Sequence, residues 1–235
     1  RAAADAVRPV YDRLDGADGY ISIEVSPYLA DSTTDTSAEA RRLWAAIDRR
    51  NLMVKVPGTA AGVPAVRALT EEGLNINITL LFAIDMYRAV AEAYVAGLEA
   101  RVAGGEDISG IASVASFFVS RIDARIDKAI DSRVAAGDAE AEALKSLRGT
   151  IAIANAKLAY QHYLGLIASV RWKVLAAKGA RPQRLLWAST GTKDAALSDV
   201  LYIDSLIGRD TINTIPPGTM DAFRDHGTIA ATLTD

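Results

Sequence analysis

Six short β-like runs punctuate this chain: Tyr20 to Ser26, Leu52 to Pro57, Asn75 to Phe82, Ile111 to Val119, Arg184 to Thr190 and Thr211 to Pro216. The stretches between them carry the 3.6-residue periodicity of amphipathic helices, and β and α elements in alternation predict a parallel sheet. Helix signals agree with that segmentation. Ala2 to Leu14 reads as a helix, and Thr36-Ser37-Ala38-Glu39 has the form of a capping box opening a helix from about Ser37 to Arg50. Gly73 closes the Ala60 to Glu72 segment as a left-handed residue would, because glycine enters that conformation without steric cost. The long alanine-rich stretch from Ile122 to Lys178 predicts two or more helices broken near Gly137 and Gly149, read as a helical insertion around residues 122–150 followed by a crossover helix.

Side chains alternate across a strand, so each run sorts into two faces. In the first run Ile21, Ile23 and Val25 oppose Ser22, Glu24 and Ser26; in the third, Ile76, Ile78 and Leu80 oppose Asn75, Asn77 and Thr79. An open doubly wound sheet buries both faces under helices and favours apolar strands. A face carrying Glu24, Lys55, Asn77 and Thr79 instead suits a closed barrel with helices outside, whose functional groups lie late in the strands. The fold class expected is therefore α/β, a barrel with helices outside, as a single domain over residues 1–235.

Lys55 is the most informative residue of that face. It stands in Met53-Val54-Lys55-Val56-Pro57, and an ammonium enclosed by Met53, Val54 and Val56 would lose hydration, which favours the neutral, nucleophilic amine used in Schiff-base chemistry. Glu24 alone could serve only to neutralise Lys55, and Asn77 and Thr79 alone could be interior hydrogen-bond fillers.

Composition narrows the remaining classes. The 235 residues are 50% hydrophobic and 23% charged, with a net charge of −3, which fits a globular α/β domain. Lys and Arg are scattered rather than striped, so nucleic acid is not an expected partner. The chain has no cysteine, which excludes disulfides and thiolate chemistry, and its two histidines, His162 and His226, belong to no metal-spacing motif, so no metal or cofactor is expected. No apolar run is long enough for a bilayer and no signal segment opens the chain, so the expected setting is the cytoplasm, without a membrane partner.

Four spaced segments carry a resemblance to a known family: Ile23-Glu24-Val25-Ser26-Pro27, Val54-Lys55-Val56-Pro57-Gly58-Thr59, Leu74-Asn75-Ile76-Asn77-Ile78-Thr79-Leu80-Leu81-Phe82 and Ser116-Phe117-Phe118-Val119-Ser120-Arg121. The chain resembles the transaldolases, in particular their bacterial branch. The resemblance implies a (β/α)8 TIM barrel of the class I aldolase type and transfer of a dihydroxyacetone unit from sedoheptulose 7-phosphate or fructose 6-phosphate to an aldose phosphate, through an imine on Lys55, in a monomer or homodimer. It implies that Glu24 and Thr79 hold the water that relays protons, and that Asn77 and Ser116 bind the substrate hydroxyls. Phe118 would wall the site and Arg121 would grip phosphate.

Two departures from the family pattern stand out. Where many relatives carry a second phosphate-binding arginine, this chain reads Ala188-Ser189-Thr190-Gly191-Thr192-Lys193, so the Ser189 hydroxyl, the amides around Gly191 and Lys193 would replace it as an anion nest. The family's first strand, with its acid–base aspartate, its second, with a Thr-Ser-Asn-Pro motif, and its final helix have no match here. The six runs would then be strands three to eight of an incomplete barrel within a longer protein. Alternatives are a lyase of the fructose 6-phosphate aldolase type, which usually carries glutamine at the position of Glu24, and a non-catalytic barrel fragment that binds sugar phosphates.

Overall fold

The computed structural model describes residues 1–234 and has the α/β character that the sequence predicts. Six strands occur in the order β1 (Ile21–Glu24), β2 (Leu52–Pro57), β3 (Ile76–Leu81), β4 (Ser113–Phe118), β5 (Arg184–Ala188) and β6 (Ile212–Asn213), and they lie in the sheet in that same order. The pairings β1–β2, β2–β3 and β5–β6 are parallel. Ten α-helices among the described residues connect or flank them: α1 (Ala2–Arg13), α2 (Thr33–Ile47), α3 (Gly62–Glu71), α4 (Ile84–Ala103), α5 (Ser120–Ala135), α6 (Ala141–Ser146), α7 (Ile151–Ala168), α8 (Val170–Ala176), α9 (Leu201–Asp204) and α10 (Pro217–His226). The predicted breaks at Gly137 and Gly149 fall between α5, α6 and α7, and both glycines have positive φ. β6 is far shorter than the run from Thr211 to Pro216, although the Thr214 amide still donates to the Trp187 carbonyl at 3.1 Å, and Pro217 opens α10.

The chain forms two compact units. The first comprises Arg1–Leu81, Asp85–Ser116 and Gly165–Arg184; the second comprises Phe82–Ile84, Phe117–Leu164 and the residues from Leu185 onward. In the first unit, Leu52, Val54, Val56, Ile76 and Ile78 are wholly buried, as are Ala40 of α2 and Ala65, Val66 and Leu69 of α3. Each such aliphatic side chain beyond alanine contributes about 1.5–3 kcal/mol on leaving water. In the second, Phe117 meets Trp187 edge-on at 6.4 Å, and the Trp187 indole N–H donates to the Leu206 carbonyl at 3.1 Å, which gives the ring's polar edge a partner in the core.

The turn after α3 forms as predicted. Gly73 has φ +91°; its amide donates to the Thr70 carbonyl and that of Leu74 to the Leu69 carbonyl, each at 3.0 Å, the paired bonds of a Schellman motif. The capping box at Thr36 is not present. α2 starts earlier, at Thr33, because Ser32 caps it by accepting from the Asp35 amide at 3.2 Å. Thr36 lies inside the helix, with its hydroxyl donating to the Leu29 carbonyl, and Glu39 pairs with Arg42.

Candidate active site

The ladder of the first unit aligns the polar face more closely than alternation alone requires. β1 and β2 pair Glu24 with Lys55, and β2 and β3 pair Lys55 with Asn77, so the three residues occupy one row across three strands. Thr79 follows two residues on, opposite Pro57, and is buried. Glu24 ends β1, but Asn77 is only the second residue of β3 rather than late in it. It still lies level with Lys55 because β3 is staggered: its first residue, Ile76, pairs with Val54, the third of β2.

Lys55 is not enclosed by apolar groups. Alternation sends Val54 and Val56 to the opposite face, leaving only Met53 on its own. Its side chain keeps 26% exposure, and Nζ stands 3.6 Å from Glu24 Oε2. The amine thus belongs to a partly exposed ion pair, which places a proton acceptor beside it.

Asn77 bridges outward from the row. Its Nδ2 donates to the Ser22 hydroxyl at 3.0 Å and its Oδ1 accepts from the Ser116 hydroxyl at 2.7 Å. Ser116 and Asn77 are both buried, so these bonds fix the amide's orientation. The sequence had placed Ser22 on the polar face without a task; its position two residues before Glu24 was the available sign.

The second unit holds the other candidates. Arg121, exposed in the first turn of α5, stacks its guanidinium 4.9 Å above the ring of Phe118. Phe118 is also 5.2 Å from the Phe82 ring. Ser189 has φ +58°, a left-handed conformation uncommon outside glycine, and its hydroxyl lies 3.0 Å from that of Ser120. Ser120, the residue before Arg121, was not singled out from the sequence. Lys193 lines a cavity of about 340 Å³ together with Asp123, Asp127, Arg148 and Tyr202. It is not adjacent there to a basic cluster alone, since four aspartates share the walls. Among the described residues, no group of three or more His, Cys, Asp or Glu side chains is arranged to hold a metal ion, and no helix is long and apolar enough to cross a membrane.

The model of the family described as Transaldolase/Fructose-6-phosphate aldolase matches residues 1–235. The chain belongs to that family. It is 55% identical to the transaldolase of Trichodesmium erythraeum over 96% of its own residues and 60% of that relative. It is 54% identical to transaldolase 2 of a Nostoc species, over 98% of the chain and 61% of the relative. Against the transaldolase of Thermobifida fusca the identity is 52%, over 97% of the chain and 61% of the relative. The chain thus spans about three fifths of the length of these curated relatives. The expectation that family strands are absent draws no support from the family match, which takes in every residue of the chain.

Proposed function

We propose that this chain carries the Schiff-base centre of a transaldolase, on a (β/α)8 barrel of the class I aldolase type. The observation that carries the reading is the row Glu24–Lys55–Asn77, with the lysine amine 3.6 Å from the carboxylate. Lys55 attacks the ketone of fructose 6-phosphate or sedoheptulose 7-phosphate, and loss of water gives a protonated imine. Electrons from the breaking C3–C4 bond flow into that imine, an aldose phosphate leaves, and the remaining enamine attacks the aldehyde of an acceptor aldose phosphate. Hydrolysis then frees Lys55.

Glu24 and Thr79 hold the water that carries protons during imine formation and hydrolysis, a carboxylate and a hydroxyl being able to relay a proton through one water. Asn77 and Ser116 bind the hydroxyls of the three-carbon unit, and their mutual hydrogen bond keeps them oriented. In the second unit, Arg121 binds phosphate through its guanidinium fork, Phe118 orients it, and Ser189 and Lys193 add donors. None of these residues is assigned as the base for carbon–carbon cleavage. The protein acts in the cytoplasm, on sugar phosphates of the non-oxidative pentose phosphate route.

The test is covalent trapping. Fructose 6-phosphate with borohydride labels the wild-type protein on Lys55, and Lys55→Met loses the label; a label retained in that variant removes Lys55 as the nucleophile. The same preparation distinguishes the lyase reading: a transferase turns over fructose 6-phosphate only when an acceptor aldose phosphate is added, whereas a lyase releases free dihydroxyacetone without one.

A further inference from the structure

Asp123 is buried on α5, two residues after Arg121, and both of its carboxylate oxygens are engaged. Oδ1 accepts from the Ala152 amide at 2.7 Å in the first turn of α7, and Oδ2 accepts from the Tyr202 hydroxyl at 2.9 Å on α9. One turn further along α5, Asp127 is also buried and accepts from the Gly149 amide at 3.3 Å. The opening amides of a helix have no partner within it and carry partial positive charge, so carboxylates from a neighbouring helix satisfy them well. Burial nevertheless pushes the Asp123 carboxyl above its ordinary range, and burial next to that carboxyl raises Tyr202 as well. A carboxyl kept in so costly a place needs a reason beyond filling space.

Helix geometry supplies one. Residues two apart on an α-helix point about 200° apart around its axis. Turning Asp123 inward onto α7 and α9 therefore turns Arg121 outward, where its guanidinium lies over Phe118. The same anchoring sets the start of α5, where the Ser120 amide donates to the Ser189 carbonyl at 3.0 Å and the two hydroxyls meet.

We propose that Asp123, with Tyr202, is a positioning residue for Arg121: by fixing the rotation and axial position of α5, the pair aims the guanidinium before phosphate arrives. This rests on the reading of Arg121 as the phosphate grip. Neither Asp123 nor Tyr202 touches substrate; each acts through the helix.

Four variants of the protein test it: Arg121→Ala, Asp123→Ala, Asp123→Asn and Tyr202→Phe. Each is trapped with borohydride on fructose 6-phosphate and, separately, on dihydroxyacetone, which has the ketone but no phosphate. Asp123→Ala and Tyr202→Phe are expected to raise the half-saturating fructose 6-phosphate concentration about tenfold, equivalent to about 1.4 kcal/mol of binding, with the dihydroxyacetone value unchanged. Asp123→Asn should recover most of the loss, since its oxygen can accept from the Ala152 amide and its NH2 can donate to the Tyr202 oxygen. Should Asp123→Ala fail to fold, Tyr202→Phe still decides, because it keeps the bond to Ala152. If Arg121→Ala weakens fructose 6-phosphate while Asp123→Ala and Tyr202→Phe do not, or if these two affect both ketones alike, positioning is overturned and the phosphate reading survives. If Arg121→Ala itself has no effect on fructose 6-phosphate, the phosphate reading falls, and positioning with it.

Discussion

Lys55 Nζ stands 3.6 Å from Glu24 Oε2 across strands that pair these two residues directly. Glu24 keeps 47% of its side chain exposed, and an ion pair so open to water stabilises a fold by less than about 1 kcal/mol. Its value must therefore be judged by chemistry. Glu24→Gln is expected to leave the unfolding midpoint almost unmoved while slowing borohydride trapping by fructose 6-phosphate about a hundredfold, the lower end of what a general acid–base group supplies. A stopped-flow trapping series beside a urea titration separates the two; equal trapping rates would show that the carboxylate serves only as a counter-ion.

The Ser116 hydroxyl donates to Asn77 Oδ1 inside a buried pair, so Ser116→Ala leaves an acceptor without a partner. Such a loss costs about 1–3 kcal/mol. Urea unfolding should register it, and the Asn77 amide, now held only by its bond to Ser22, should bind the three-carbon unit less well, raising KM for fructose 6-phosphate more than it lowers kcat. A fall in kcat alone would assign Ser116 to the chemistry rather than to binding.

Much of this arrangement was legible in the sequence because it follows from local rules. Alternation put Glu24, Asn77 and Thr79 on one face, and a helix that must stop before a strand needed Gly73 at a positive φ. What stayed hidden depends on pairing between distant segments. The stagger that brings Asn77 level with Lys55 is set by the β2–β3 register, which no single strand encodes. The same holds for Asp123: in the sequence it is one of several charges on a helix, and only the fold puts the Ala152 amide and the Tyr202 hydroxyl against it. Lys55 was misjudged for a related reason, since counting apolar neighbours along the chain ignores that Val54 and Val56 point to the other face.

The start of α2 offers a direct check on the capping that replaced the expected one. Ser32 accepts from the Asp35 amide and also donates to the Asp35 carboxylate at 2.7 Å. Ser32→Ala should lower stability by about 1 kcal/mol, the usual worth of an N-cap. Glu39→Ala, which a capping box at Thr36 would make comparably harmful, should leave the urea midpoint unchanged, because Glu39 forms only an exposed pair with Arg42. The reverse ranking would restore the capping box.

His226, which has no assigned part in the chemistry, gives the chain a pH-dependent contact. Its Nε2 lies 2.8 Å from Asp199 Oδ1 and its Nδ1 3.1 Å from Asp225 Oδ2, and these hydrogen bonds, with the carboxylate charges, hold the imidazole above its ordinary 6.5. A histidine raised in the folded state binds its proton more tightly there than in the unfolded chain. The stabilisation is therefore fully present below pH 6.5 and is lost as pH rises through the elevated folded value. The contact is solvent-exposed, so salt at about 1 M, where the Debye length falls to about 3 Å, should weaken it. An NMR titration of the His226 ring should give a midpoint above 6.5 that drops in Asp199→Asn, while the loss of stability on passing upward from pH 6.5 becomes shallower in that variant. A midpoint unmoved by Asp199→Asn would show that Asp225 alone, the neighbouring residue, sets the proton affinity.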